Sequence, residues 1–158
     1  MNRQLHRPIT DEEIATYRRD GIVCLRGFFD ADWVEHLREQ VDADMAEPSP
    51  MRKNVDAKKG EKGFFFDTFI SHHLEGFEKV VRESPGAEIA GKLMGSNKIN
   101  LLFDQLLIKD PGATTRTVWH HDATYWPVAG DQICTLWLAL DPVTHDTGAV
   151  EYIKGSHL

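Results

Sequence analysis

Trp119-His120-His121-Asp122, then Tyr125-Trp126-Pro127, the run Asp131 to Leu140 and Gly155-Ser156-His157 form the stretch whose reading decides the fold of this chain. On a strand, side chains alternate between faces with a period of two, so His120 and Asp122 would project to one side and His121 to the other. An imidazole and a carboxylate would then converge on one point.

That pair is two thirds of a two-histidine-one-carboxylate facial triad, the arrangement that holds non-haem Fe(II) and leaves coordination positions open. A His-x-Asp alone recurs by chance and is more often a surface hydrogen-bonded cluster, so its neighbours decide. Downstream, Ile133, Thr135, Trp137 and Ala139 share one face of an expected strand and Cys134, Leu136, Leu138 and Leu140 the other. The uniformly apolar second set is the natural core face, which turns Thr135 and Trp137 toward a barrel or cleft. Core packing is the competing reading of Trp137. Asp141-Pro142 breaks this strand, a polar turn follows through Gly148, and Ala149 to Ile153 reads as a further strand.

Taken in order and spacing, Trp119-His120-His121-Asp122, Tyr125-Trp126-Pro127, Trp137, Gly148 and Gly155-Ser156-His157 resemble the phytanoyl-CoA dioxygenase family of Fe(II)/2-oxoglutarate oxygenases. The resemblance reaches upstream to about Thr10. It implies Fe(II), 2-oxoglutarate and O2 as cofactor and co-substrates, His120 and Asp122 as metal ligands, and Gln105 and Trp137 beside 2-oxoglutarate. It implies hydroxylation of a small organic molecule, because halogenating relatives carry a small residue where this chain has Asp122. The family's distal His and its 2-oxoglutarate-binding Arg would fall beyond Leu158. The expectation is therefore an incomplete triad in a fragment of a longer product; a natural truncation, or a half completed by a partner, would leave the same incomplete triad.

Upstream, Thr10-Asp11-Glu12-Glu13 is a capping box that starts a helix running to about Asp20, where Gly21 supplies a left-handed stop. Ile22 to Leu25 reads as a strand, and Asp30 caps a second helix through Val34, Leu37, Val41 and Met45 that ends before Pro48-Ser49-Pro50. Amphipathic patterns over Leu74 to Val81 and Ala87 to Met94 add two helices, the latter closed by Gly95. Arg52 to Lys62, with Lys53, Lys58, Lys59 and Lys62, reads as a mobile surface loop, with a lid for an anionic substrate as the alternative. Phe64-Phe65-Phe66 is either core or the mouth of a pocket. From Lys98 to Asp110 the chain alternates as a strand apolar on both faces, hence covered on both. Gln105 is its odd residue. Its amide needs partners, since leaving a buried polar group unsatisfied costs roughly 1 to 3 kcal/mol; the partner is a bound ligand or a neighbouring strand.

The expected class is α+β: N-terminal helices, about residues 10–95, packed on an antiparallel cupin-type double-stranded β-helix, or jelly roll, over about 98–158 and incomplete at its C-terminal end, all one domain over 1–158. Its 158 residues and 41% hydrophobic content suffice for a real core. The net charge of −7, from 25 acidic and 18 basic residues, argues against a nucleic-acid surface and for a small-molecule substrate. No apolar run approaches the roughly 20 residues that cross a bilayer, and a cytoplasmic protein is expected. Cys24 and Cys134, each in an apolar run, read as buried free thiols. Unfinished strand edges invite association with another copy. Two rivals remain: a non-catalytic cupin-like binding or assembly module, and a Zn or Mn cupin using His120, Asp122 and His157. His145, in a polar turn, is a weaker candidate for the third ligand than His157, and His72 and His73 read as solvated.

Overall fold

A computed structural model describes residues 1–55, 63–113 and 115–158, and the chain divides into two compact units. Lys58, Lys59 and Lys62 of the expected lid or loop, and Thr114, lie outside the described residues.

The first unit comprises Met1–Ala31, Ser84–Asn100 and Trp119–Leu158. Its opening helix, α1 (Asp11–Asp20), starts on the expected capping box: the Glu13 amide donates to Thr10 Oγ1 at 3.2 Å, and the Thr10 amide donates to Glu13 Oε2 at 2.9 Å. Arg7 clamps the same carboxylate with bonds of 2.6 and 2.8 Å. That guanidinium, with the Thr10 amide second, holds the Glu13 carboxyl down at about 2. The helix ends at Gly21, whose φ of +76° a side chain rarely adopts, with the Gly21 amide donating to the Tyr17 carbonyl at 2.8 Å. α1 packs on the last helix of the chain, α4 (Gly86–Met94), which closes at Gly95 in the same left-handed conformation.

Ile9, Phe28, Ile89 and Leu93 are the buried centre of this unit, ringed by Leu5, Ile14, Tyr17, Val23, Leu25 and Phe29. The expected strand Ile22 to Leu25 forms no ladder among the described residues, and its Val23 and Leu25 are partly buried against that core. Its alternation survives without a ladder, because apolar burial needs only a surface to pack on. Cys24 consequently points outward and is exposed, while Cys134 is half-buried against Tyr17; both are free thiols, but neither is fully buried as expected. The expected strands Asp131 to Leu140 and Ala149 to Ile153 likewise form no ladder among the described residues. The expected core face is only partly sheltered: Leu136 is 44% exposed, while Cys134, Leu138 and Leu140 are half-buried.

The second unit comprises Asp32–Glu83 and Leu101–Val118. α2 (Ala31–Ala46) buries Trp33, Leu37 and Asp44. A three-stranded antiparallel sheet follows in the order β1 (Lys53–Asn54), β2 (Phe64–Thr68), β3 (Gln105–Lys109). Its register pairs Phe64 with Lys109, Phe66 with Leu107 and Thr68 with Gln105. Phe64 and Phe65 are buried, so these two belong to the core rather than to a pocket mouth. β3 is shorter than expected and covered on one face only: Leu106 is buried and Ile108 half-buried, whereas Leu107 is 46% exposed and, ahead of the strand, Leu101 and Leu102 are exposed too. α3 (Glu75–Glu83) buries Phe77 and laces its outer face with Lys79–Glu83 and Arg82–Glu78 pairs.

Arg52 is not a solvated side chain, being only 16% exposed. It is stacked 4.6 Å from the Phe65 ring centre, it pairs with the fully buried Asp44, and its Nε lies 3.7 Å from the equally buried Asp67. Asp67 also accepts the Ser49 amide at 3.0 Å and the Ser49 hydroxyl. Burial raises the Asp44 carboxyl, Arg52 opposes that, and the neighbouring Asp67 adds to it. Helices and sheet together make an α+β protein, as expected.

Candidate metal centre

His121 has φ −108° and ψ 125°, an extended conformation, and so sends its neighbours' side chains to one side. His120 Nε2 and Asp122 Oδ1 consequently lie 3.2 Å apart. The carrier of this geometry differs from the expectation. Asp122 opens a 3-10 turn, Asp122–Tyr125, in place of a continuing strand. The Thr124 amide and hydroxyl close the turn on the His121 carbonyl at 3.2 and 2.7 Å. One extended residue between the two groups suffices to set them on the same side.

Three further side chains surround the pair. The Tyr125 ring meets His120 edge-on, with centroids 5.9 Å apart and planes at 76°. The Thr135 hydroxyl donates to Asp122 Oδ2 at 3.1 Å. Tyr152 is close enough for the charge of Asp122 to reinforce burial, the larger effect, in raising its phenol. His120 is 34% exposed and Asp122 47% exposed, so both remain open to a ligand arriving from solvent.

The spacing fits a metal. Two ligands on adjacent corners of an octahedron with bonds of roughly 2.1 Å stand roughly 3.0 Å apart, close to the 3.2 Å found here. An imidazole nitrogen and a carboxylate oxygen are also the donor types that such an ion takes. Among the described residues no group of three His, Cys, Asp or Glu side chains is placed to hold an ion.

The set His120, Asp122 and His157 is therefore not assembled, a correction to that rival. His157 Nε2 donates instead to the Arg18 carbonyl at 3.1 Å, at the C-terminal end of α1, where unpaired carbonyls seek donors. His145 faces Asp146 and Glu151 at 3.4 and 3.6 Å in its polar turn, and His72 and His73 are exposed. Trp137 is 43% exposed. Gln105 lies in the second unit, where its amide reaches Thr68 Oγ1 at 3.5 Å across the β2–β3 ladder; the neighbouring-strand reading describes this bond. Sequence reasoning turned Thr135 toward the cleft without giving it a role, and it missed Tyr152. The signal for Thr135 was its place on the same expected strand face as Trp137.

A family model described as phytanoyl-CoA dioxygenase matches residues 17–158, and the chain belongs to that family. Curated relatives include the zebrafish (Danio rerio) phytanoyl-CoA dioxygenase domain-containing protein 1, 26% identical over 192 aligned residues that cover 94% of this chain and 66% of the relative. Another is a probable alpha-ketoglutarate-dependent hypophosphite dioxygenase of Stutzerimonas stutzeri, 25% identical over 154 residues covering 92% of this chain and 53% of that protein. This chain thus spans between about half and two thirds of the length of these relatives. No solved structure matches it significantly.

Proposed function

We propose that the chain is the N-terminal part of an Fe(II)/2-oxoglutarate-dependent oxygenase that hydroxylates a small organic substrate. The 3.2 Å approach of His120 Nε2 to Asp122 Oδ1, in a chain of this family, is the observation that carries the reading. His120 and Asp122 would hold the ion, and a further histidine would come from outside these residues. When bound, iron with 2-oxoglutarate and O2 supplies the oxidising power to functionalise an unactivated C–H bond.

The chain's own residues orient and shield. Asp122 provides the charged ligand, His120 the neutral one, and the Tyr125 ring edge limits how the imidazole can turn. Trp137 stands two residues from Thr135, which is bonded to Asp122, and this supports setting Trp137 beside 2-oxoglutarate. Gln105 takes that role on the family resemblance alone. Segments 131–140 and 149–153, which form no ladder among the described residues, are proposed as strands of a cupin-type jelly roll within a single domain. The free thiols agree with a cytosolic setting, and β1 and β3, the outer strands of the described sheet, with self-association.

The test is succinate release by the full-length protein given Fe(II), ascorbate and 2-oxoglutarate. Release that is abolished by His120→Ala and by Asp122→Ala supports the reading. Metal-free protein that binds neither Fe(II) nor 2-oxoglutarate overturns it and favours a binding or assembly module.

A further inference from the structure

We infer that Thr135 is a positioning residue for the metal site, fixing Asp122 so that only one of its oxygens is offered to the ion. This rests on the oxygenase reading above. Asp122 is 47% exposed, and a carboxylate in that setting is free to swing its two equivalent oxygens past one another. Here they are made inequivalent: Oδ1 faces His120 Nε2 at 3.2 Å, while Oδ2 receives the Thr135 hydroxyl at 3.1 Å. A hydroxyl carries a single proton to donate, and with it committed to Oδ2 that oxygen is drawn away from the position Oδ1 occupies.

The donor is itself well chosen. Threonine is branched at Cβ and stiff about χ1, so its hydroxyl is aimed before any ion arrives. The 3-10 turn Asp122–Tyr125 carries the carboxylate to it. An ion held by Asp122 would then meet one of its oxygens, and the position that the second oxygen would fill would stay open to a co-substrate. Groups that orient metal ligands in this way change metal affinity by roughly 10- to 100-fold when removed.

Full-length protein, freed of metal, is titrated with Co(II) followed by its visible absorption, and with Mn(II) followed by electron paramagnetic resonance. Thr135→Val keeps the shape and removes the donor, and Thr135→Ser keeps the donor. The expected result is affinity weakened roughly 10- to 100-fold in Thr135→Val and restored to within about threefold in Thr135→Ser, with the melting temperature of the metal-free protein the same in all three. Wild-type affinity in Thr135→Val, while His120→Ala abolishes binding, overturns the role of Thr135 and leaves the oxygenase reading standing. A matched loss in Val and Ser variants, or a lowered metal-free melting temperature in the Val variant, assigns Thr135 to packing and likewise overturns it. A wild-type protein that takes up no ion sinks both.

Discussion

Replacing Arg52 with Met strands two carboxylates. Asp44 and Asp67 are each 0% exposed by side chain, and the Arg52 guanidinium, itself only 16% exposed, is the cation between them. Besides its pairing with Asp44, Arg52 Nη2 donates to the Asp44 carbonyl at 3.0 Å. One acceptor, Asp44 Oδ1, and one donor, Arg52 Nε, have no hydrogen-bond partner in this cluster. Removing one partner of a buried ion pair leaves an uncompensated charge, at a cost of roughly 3 to 5 kcal/mol. For a chain of this size each kcal/mol lowers the melting temperature by roughly 2 to 4 °C, so a fall of roughly 6 to 20 °C is expected.

The loss must also depend on pH. Burial raises the folded-state Asp44 carboxyl above its ordinary value of 3.8. A group raised on folding contributes fully below its unfolded value and loses that contribution as pH rises through the folded one. Without Arg52, which pulls the Asp44 value down, the carboxyl shifts further up, and Arg52→Met recovers stability as pH is lowered from about 8 to about 5. Urea unfolding of the full chain checks this, followed by fluorescence with Trp33, which is 0% exposed, as the reporter in the same unit. An Arg52→Asn variant is a poorer probe because it adds a new polar group; Arg52→Met/Asp44→Asn should regain part of the loss. A Met variant within about 1 kcal/mol of the parent at pH 8, with an unchanged pH profile, refutes the account.

Thr10→Ala removes one half of the capping box and should destabilise α1 by about 1 kcal/mol, read as faster amide exchange in the first turn. Glu13, held down at about 2 against an ordinary 4.5, contributes stability above that ordinary value and loses it as pH falls toward 2; helical circular dichroism of the parent should decline over that window more than in Glu13→Gln. Gly21→Ala forces a side chain into φ +76° and drives its Cβ into the His157 imidazole, with a loss of about 2 kcal/mol in thermal unfolding. Part of that loss should vanish in a His157→Ala background, and strictly additive single and double variants would show that the two residues do not touch.

The features that came straight from the chain are those whose physics is local. Thr10 to Glu13 starts a helix, and Gly21 and Gly95 end helices, because the capping bonds close within a few residues and only glycine tolerates the left-handed stop. The same locality brought His120 and Asp122 together, since a single extended residue determines which way both neighbours point. The family is legible for a related reason: it is written in an ordered set of residues and needs no coordinates.

Tertiary structure alone decided what depends on partners distant in sequence. The sequence over 22–25, 131–140 and 149–153 reads as strand, but a strand exists only where another backbone supplies its ladder, and in the described residues that happens for β1, β2 and β3. Arg52 looked like one cation in a basic run until folding carried Asp44 and Asp67 to it. Thr135 and His157 followed the same rule: one found Asp122 and the other the end of α1, because a hydrogen bond is chosen by proximity in space, which no local pattern encodes.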